Sequence, residues 1–261
     1  MTRLISGLPG TLDTLCVGLF ENVPYRFFFT ATPLRNDGAD LLLQGILGKI
    51  LLTYEPGEGM EDKVLSKPQF MIYPSSSNSS HYSEDPLRMM AEHLYRNPIV
   101  HKQAAELAND FIGLCDYQVL ILIDKVEQFK YLLPYLKYEL GFAHSGVTAG
   151  NRVFIDERYH KSDPTALIQS FNDKRLKLLV GTGILGIGTD MPHINAIINL
   201  QGGKSEVKFK QSVGRGTRRP LGKDSFYYID FDIQNCQILH RHLVERVKIY
   251  RTIFDNVKIV A

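Results

Sequence analysis

Downstream of residue 66 the chain alternates short, apolar runs with stretches of helical character, a pattern that few folds accept. The runs at 69–73, 118–123, 141–143, 177–181, 196–200 and 226–231 predict strands. Val119-Leu-Ile-Leu-Ile123 and Leu178-Leu-Val180 contain no residue suited to water. A strand of that kind is buried on both faces, as in a parallel sheet whose crossovers are helices. The expected fold class is therefore α/β, a parallel sheet with helices on both faces. Asp163-Pro164 supplies a helix start, a capping side chain followed by proline at the first helical position. The last helix repeats Leu239, Leu243, Val247 and Tyr250 as a core-facing stripe, with Arg241, Arg246, Lys248 and Arg251 expected on its surface.

Three segments carry candidate chemistry. Gln211-Ser-Val-Gly214-Arg215-Gly-Thr-Arg218-Arg219 sets a polar side chain and arginines on a short stretch predicted to be helical. A guanidinium stays charged, makes paired hydrogen bonds to phosphate and can stabilise the charge that builds up in phosphoryl transfer. A solvated basic helix face is the competing reading. Leu178-Leu-Val180-Gly-Thr182-Gly-Ile-Leu-Gly-Ile-Gly188-Thr-Asp190-Met-Pro192 runs from a buried strand into a glycine-rich turn that lets backbone approach a ligand. Arg26-Phe-Phe-Phe-Thr30-Ala31-Thr32-Pro33 is a short aromatic strand ending in a turn.

Taken in chain order and with their gaps, the three segments resemble motifs III (Arg26–Pro33), V (Leu178–Pro192) and VI (Gln211–Arg219) of the superfamily 2 nucleic-acid helicases. Val119 to Gln128 resembles motif IV, and Gly141-Phe-Ala-His144-Ser145-Gly146 the H-x-G turn that follows it. Pro220 to Asp232 is similar to the hairpin and closing strand of the second RecA-like domain, and Leu239 to Tyr250 to the last helix of phage-type and repair-type branch-remodelling helicases. The resemblance covers roughly residues 26 to 252. It implies an ATP-dependent helicase half: Arg215 and Arg218 reaching phosphates as fingers, Gln211 positioning nucleotide or water, and Asp190, Gly188 and Gly214 lining the nucleotide. Thr30 and Thr32 would couple that site to the nucleic-acid track. Thr182, His144, Ser145 and Lys125 would face the phosphodiester backbone, although a structural role for His144 is as well supported. The implied ligands are ATP with Mg2+, bound jointly with another domain, and branched or single-stranded DNA ahead of RNA.

A complete enzyme of this kind needs a P-loop and an Asp-Glu motif upstream of Thr30, and only 29 residues lie there. The chain thus reads as a downstream half that works with a P-loop-bearing partner in cis or in trans, and that does not hydrolyse ATP unaided. Its expected organisation is a remnant of the first RecA-like domain over 1–52, a linker over 53–66 and the second domain over 67–261. The alternative is a non-catalytic module that binds nucleic acid or a protein partner and keeps the motifs as inherited structure.

Three segments mimic other sites. Gly203-Lys204-Ser205 ends like a P-loop, but Ile198 stands where its first glycine belongs and the loop is too short to wrap phosphates. Val153-Phe-Ile-Asp156-Glu157 looks like a strand with a magnesium-binding pair, yet follows the T-A-T-P turn and reads as part of a connecting insertion. Gly181-Thr-Gly183-Ile-Leu-Gly186 spells a dinucleotide fingerprint, but Pro192 breaks the helix it requires and the next strand ends in Gln201 rather than an acid.

With 44% hydrophobic residues in 261, the chain can bury one full domain and part of another. Its net charge of +2 is too small to announce a nucleic-acid binder, but residues 204–223 hold seven Lys or Arg against one acid, Glu206. Cys16, Cys115 and Cys236 have no paired spacing and imply neither disulfides nor zinc. No apolar run approaches a membrane span and no signal peptide is evident, so a cytoplasmic protein of a bacterium or a phage-infected host is expected.

Overall fold

The structure, a computed structural model, describes residues 22–25, 27, 45, 48–144, 151–155, 158–182, 190–253 and 257–259. The chain divides into two units, Met1–Glu55 and Pro56–Ala261. In the first, the expected aromatic strand apart from Phe27, and the turn bearing Thr30 and Thr32, lie outside the described residues. Residues 48–50 are not helical, and Gly48 has φ 89°, the left-handed conformation in which glycine ends helices.

The second unit opens with α1 (Pro56–Glu61) and strand β1 (Lys67–Ser75), followed by α2 (Pro86–Met90), which passes into a π turn at Ala91–Tyr95. Then come α3 (Pro98–Cys115), β2 (Val119–Ile123), α4 (Phe129–Leu132), β3 (Leu140–Ala143), β4 (Asn151–Ile155), β5 (Arg158–Ser162), α5 (Pro164–Asn172) and β6 (Leu178–Gly181). The unit closes with β7 (Ala196–Leu200), α6 (Glu206–Gly216), β8 (Ser225–Ile233), α7 (Gln237–Ile253) and β9 (Val257–Ile259). The segment expected to be a linker thus contains a helix. Beyond that helix it is bound into the unit, with Leu65 bridging Arg218.

One sheet runs in the order β5-β4-β3-β6-β2-β7-β8-β1-β9. From β3 to β9 every pairing is parallel; β4 and β5 extend the sheet as an antiparallel hairpin. The six expected strands are all present. The hairpin and β9 were not expected. An edge hairpin needs no continuous apolar run, so a search for doubly buried strands passes over it.

Every residue of β2, β3, β6 and β7 is buried, and period-two alternation sends their side chains to two cores. Val119, Ile121, Ile123, Val180 and Ile198 meet α3, whose Ala104, Ala105 and Ala108 let the helix approach closely. Leu120, Leu122, Leu179 and Ile197 meet Leu167 and Phe171 of α5 and Phe209 and Val213 of α6. At roughly 1.5–3 kcal/mol per buried large aliphatic side chain, these layers supply the main driving force for the fold.

The α7 stripe holds for Leu239, Leu243 and Tyr250, but Arg246 is a correction. Arg246 is buried rather than on the surface: its Nε and Nη2 donate to the Asp230 carboxylate at 2.7 and 2.9 Å, and Nη1 donates to Gly203 O at 2.9 Å. Residue 246 lies seven after Leu239, two helical turns on, so it shares the inward face. A charge can occupy it because Asp230 is buried opposite.

Candidate nucleotide and nucleic-acid site

Because β3, β6 and β2 are parallel neighbours, the residues that follow them gather at one edge of the sheet. His144 follows β3, Thr182 follows β6, and Asp124 and Lys125 follow β2. Thr182 N donates to Ala143 O at 3.2 Å, joining two of these ends. The Thr182 hydroxyl is buried and finds no hydrogen-bond partner among the described residues. An unpaired buried hydroxyl costs about 1–3 kcal/mol, a cost that a bound acceptor would remove. His144 is also buried, its ring 4.9 Å from that of Phe142, whereas Lys125 is exposed. Ser145 lies outside the described residues.

The turn after β2 is shaped by Gln128, fully buried, to which sequence reasoning assigned no role. Its Oε1 accepts from the backbone N of Asp124 and of Lys125, both at 2.9 Å, and its Nε2 donates to Leu200 O at 3.0 Å. The available signal was its position at the third residue of the short helical turn that Lys125 precedes.

A second cluster forms at the opposite edge, where segments enter β7 and β8. Helix α6 starts at Ser205, whose Oγ accepts from Lys208 N, and runs to Gly216. A side chain at Gly216 would collide with the Phe226 ring, so glycine is a packing requirement there. Gly214 has the opposite surroundings: among the described residues a Cβ would meet nothing within 4 Å. Gln211 and Gly214 are exposed, three residues apart and hence on one helix face.

Just past them, Arg218 Nη1 donates to the Asp190 carboxylate. Both partners reach solvent, with side chains 40% and 68% exposed. Arg215 is buried beside them; burial, then the charge of Arg218, lowers its pKa to about 10. Asp190 is steadied through its carbonyl, which accepts from Asn172 Nδ2 at 2.8 Å. The structure therefore brings Arg215, Arg218 and Asp190 together and leaves Gln211 and Gly214 on the adjacent exposed face. Gly188 lies outside the described residues.

The cationic stretch 204–223 is less free than its charge count suggests. Lys208 lies 3.6 Å from Asp124, Lys210 pairs with Glu206 at 2.7 Å, and Arg219 pairs with Asp224 while donating to Lys63 O. Lys223 is buried. Among the described residues no group of three or more His, Cys, Asp or Glu side chains could hold a metal ion. No described helix is long and apolar enough to cross a membrane.

Residues 108–220 match the helicase conserved C-terminal domain. The chain is 24% identical over 250 residues to a protein of Sulfolobus islandicus filamentous virus (isolate Iceland/Hveragerdi) that bears the provisional name helicase 22. That match takes in 89% of this chain and 42% of the viral protein, so the chain spans less than half the length of this curated relative. Among solved structures, S. cerevisiae Dbp5 bound to RNA and ADP BeF3 superposes with a TM-score of 0.55 at 16% identity, over 96% of this chain and 57% of that one. The ATP-dependent Type ISP restriction-modification enzyme LlaBIII bound to DNA superposes with a TM-score of 0.51 at 13% identity, over 83% of this chain and 17% of the enzyme.

Proposed function

The chain carries the C-terminal domain of a superfamily 2 helicase in a RecA-like fold, and from that premise we propose that it is the finger-bearing half of an ATP-dependent nucleic-acid translocase. The observation that carries the proposal is the Arg218–Asp190 pair beside buried Arg215. A solvent-exposed ion pair is worth only about 0–1 kcal/mol, so Arg218 can leave Asp190 for a phosphate at little cost. Asp190 thus parks the finger until nucleotide arrives, and is then released toward the ribose or magnesium end of ATP. Arg215, already desolvated, offers a stronger field to a phosphoryl group than a hydrated cation would. Gly214 leaves open space on the same face, where Gln211 can orient the nucleotide or the attacking water.

ATP with Mg2+ would be held jointly with a P-loop-bearing first domain, supplied in cis or in trans, and Thr30 and Thr32 would relay the state of that site. At the other sheet edge, Thr182, His144, Ser145 and Lys125 would meet the phosphodiester backbone, the buried Thr182 hydroxyl finding its acceptor there. Backbone contacts do not depend on base sequence, which suits stepping along any strand. Branched or single-stranded DNA is the proposed track, with RNA as the competing polymer; the superposed proteins include one bound to each.

The test is gain of turnover. Alone, the chain should hydrolyse ATP negligibly; joined to a P-loop-bearing first domain of a matching helicase, it should show hydrolysis stimulated by nucleic acid. Nucleic-acid binding by an assembly that folds but never turns over ATP would favour the non-catalytic module.

A further inference from the structure

Lys223 has left the surface: only 6% of it is exposed, and its ammonium donates to three backbone carbonyls. These are Gly216 O at 2.7 Å, Arg218 O at 2.9 Å and Pro192 O at 3.1 Å. The first ends the finger helix, the second belongs to the finger arginine itself, and the third lies two residues after Asp190. One cation therefore ties together the two segments whose side chains form the Arg218–Asp190 pair. The Arg218 carbonyl also accepts from Ser66 Oγ at 3.1 Å, and that same hydroxyl lies 3.1 Å from Lys223 O.

Ser66 is fully buried and its N donates to Thr217 O at 2.6 Å. It ends the segment that leads from α1 into β1. Lys63, in the same segment, takes φ 57°, a left-handed conformation costly to a residue with a Cβ, and its carbonyl accepts from Arg219 at 2.7 Å. The finger loop is thus held from two sides, by the Asp190–Pro192 segment and by the segment between α1 and β1. Burial lowers the Lys223 ammonium to about 7 against carbonyls that favour its charged form, so an apolar chain of similar length would be the easier residue to bury.

Resting on the reading of Arg218 as a finger, we propose that Lys223 is its positioning residue, a clamp that holds the Arg218 backbone against the Asp190 segment and, with Ser66, against the lead-in to β1. The clamp makes finger placement depend on both neighbouring segments. A shift of either moves the Arg218 carbonyl or breaks a bond to it.

Amide hydrogen exchange on the complete chain tests the clamp without reference to activity. In Lys223→Met, exchange should rise by roughly tenfold or more in peptides covering 190–194 and 215–220, while β2 and β6 peptides stay protected. Ser66→Ala, which keeps the buried cation, should give a smaller rise confined to residues 215–220, and it decides the matter if Lys223→Met does not fold. Unchanged exchange in the finger loop, or a rise spread evenly over the unit, overturns the clamp. In the assembly joined to a P-loop-bearing domain, Lys223→Met should lower kcat at least tenfold with KM for ATP within about twofold, as expected of a misplaced transition-state group. If Arg218→Ala leaves turnover intact the finger reading fails, whereas the exchange result still decides the clamp.

Discussion

Arg218 and Arg219 are adjacent and equally charged, yet their surroundings divide their work. Arg219 is held by Asp224 and the Lys63 carbonyl, whereas among the described residues the Arg218 side chain meets the exposed Asp190 carboxylate. Gly214 invites a related experiment. An exposed glycine inside a helix costs about 0.5–1 kcal/mol relative to alanine, and among the described residues nothing blocks a methyl group there. Gly214→Ala should therefore raise the denaturant midpoint of the chain while lowering ATP turnover in the joined assembly; a variant with full turnover would show that no ligand approaches that face. His101 supplies a pH test. Burial lowers its imidazole pKa to about 4, against a hydrogen bond from the ring to Asn97 O that favours the charged form. The unfolded chain binds a proton below about pH 6.5 and the folded one does not until about 4, so stability should fall across that window by about 3 kcal/mol. Urea titrations at pH 7 and 5 should show about 2 kcal/mol of that loss, and His101→Gln should flatten it. Residue by residue, the resemblance grouped Arg215, Arg218 and Asp190, and the structure sets Arg218 against Asp190 with Arg215 near Arg218. Gln128, Ser66 and Lys223 were not legible, because their partners are backbone groups far along the chain, and a side chain bonded to backbone leaves no pairing pattern in the sequence.

At the scale of elements, the doubly buried strands were readable because burial on both faces excludes polar residues from every position. The hairpin β4–β5 obeys no such constraint, and the helix inside the expected linker is only six residues, too short for a hydrophobic period to show. Helix α7 shows how a pattern can mislead. Its inward face includes an arginine, and the compensating Asp230 sits on a different element, where Tyr250 OH also donates to it at 2.5 Å. Breaking such a pair leaves an uncompensated buried charge. Arg246→Met should destabilise the chain by about 3–5 kcal/mol, read as a lowered urea midpoint, while Lys248→Met on the exposed face of the same helix should change it by under about 0.5 kcal/mol. Equal effects would mean that the Asp230 pair is not what fixes α7.

For the molecule as a whole, the parallel topology separates two clusters of side chains. Segments leaving β3, β6 and β2 present Thr182, His144 and Lys125 at one edge, and segments entering β7 and β8 present Asp190, Arg215 and Arg218 at the other. The chain alone should bind single-stranded or branched DNA weakly, with little base preference and an affinity that falls steeply between two salt concentrations. Salt-independent, sequence-selective binding would assign that edge another role. The central claim is that Arg218 acts on the phosphoryl group, and the most direct measurement is steady-state ATP turnover of the joined assembly carrying Arg218→Ala or Arg219→Ala. The account predicts a loss on the order of a thousandfold for Arg218→Ala with ATP binding much less affected, and a far smaller loss for Arg219→Ala. Equal losses in the two variants, or full activity in Arg218→Ala, would contradict it.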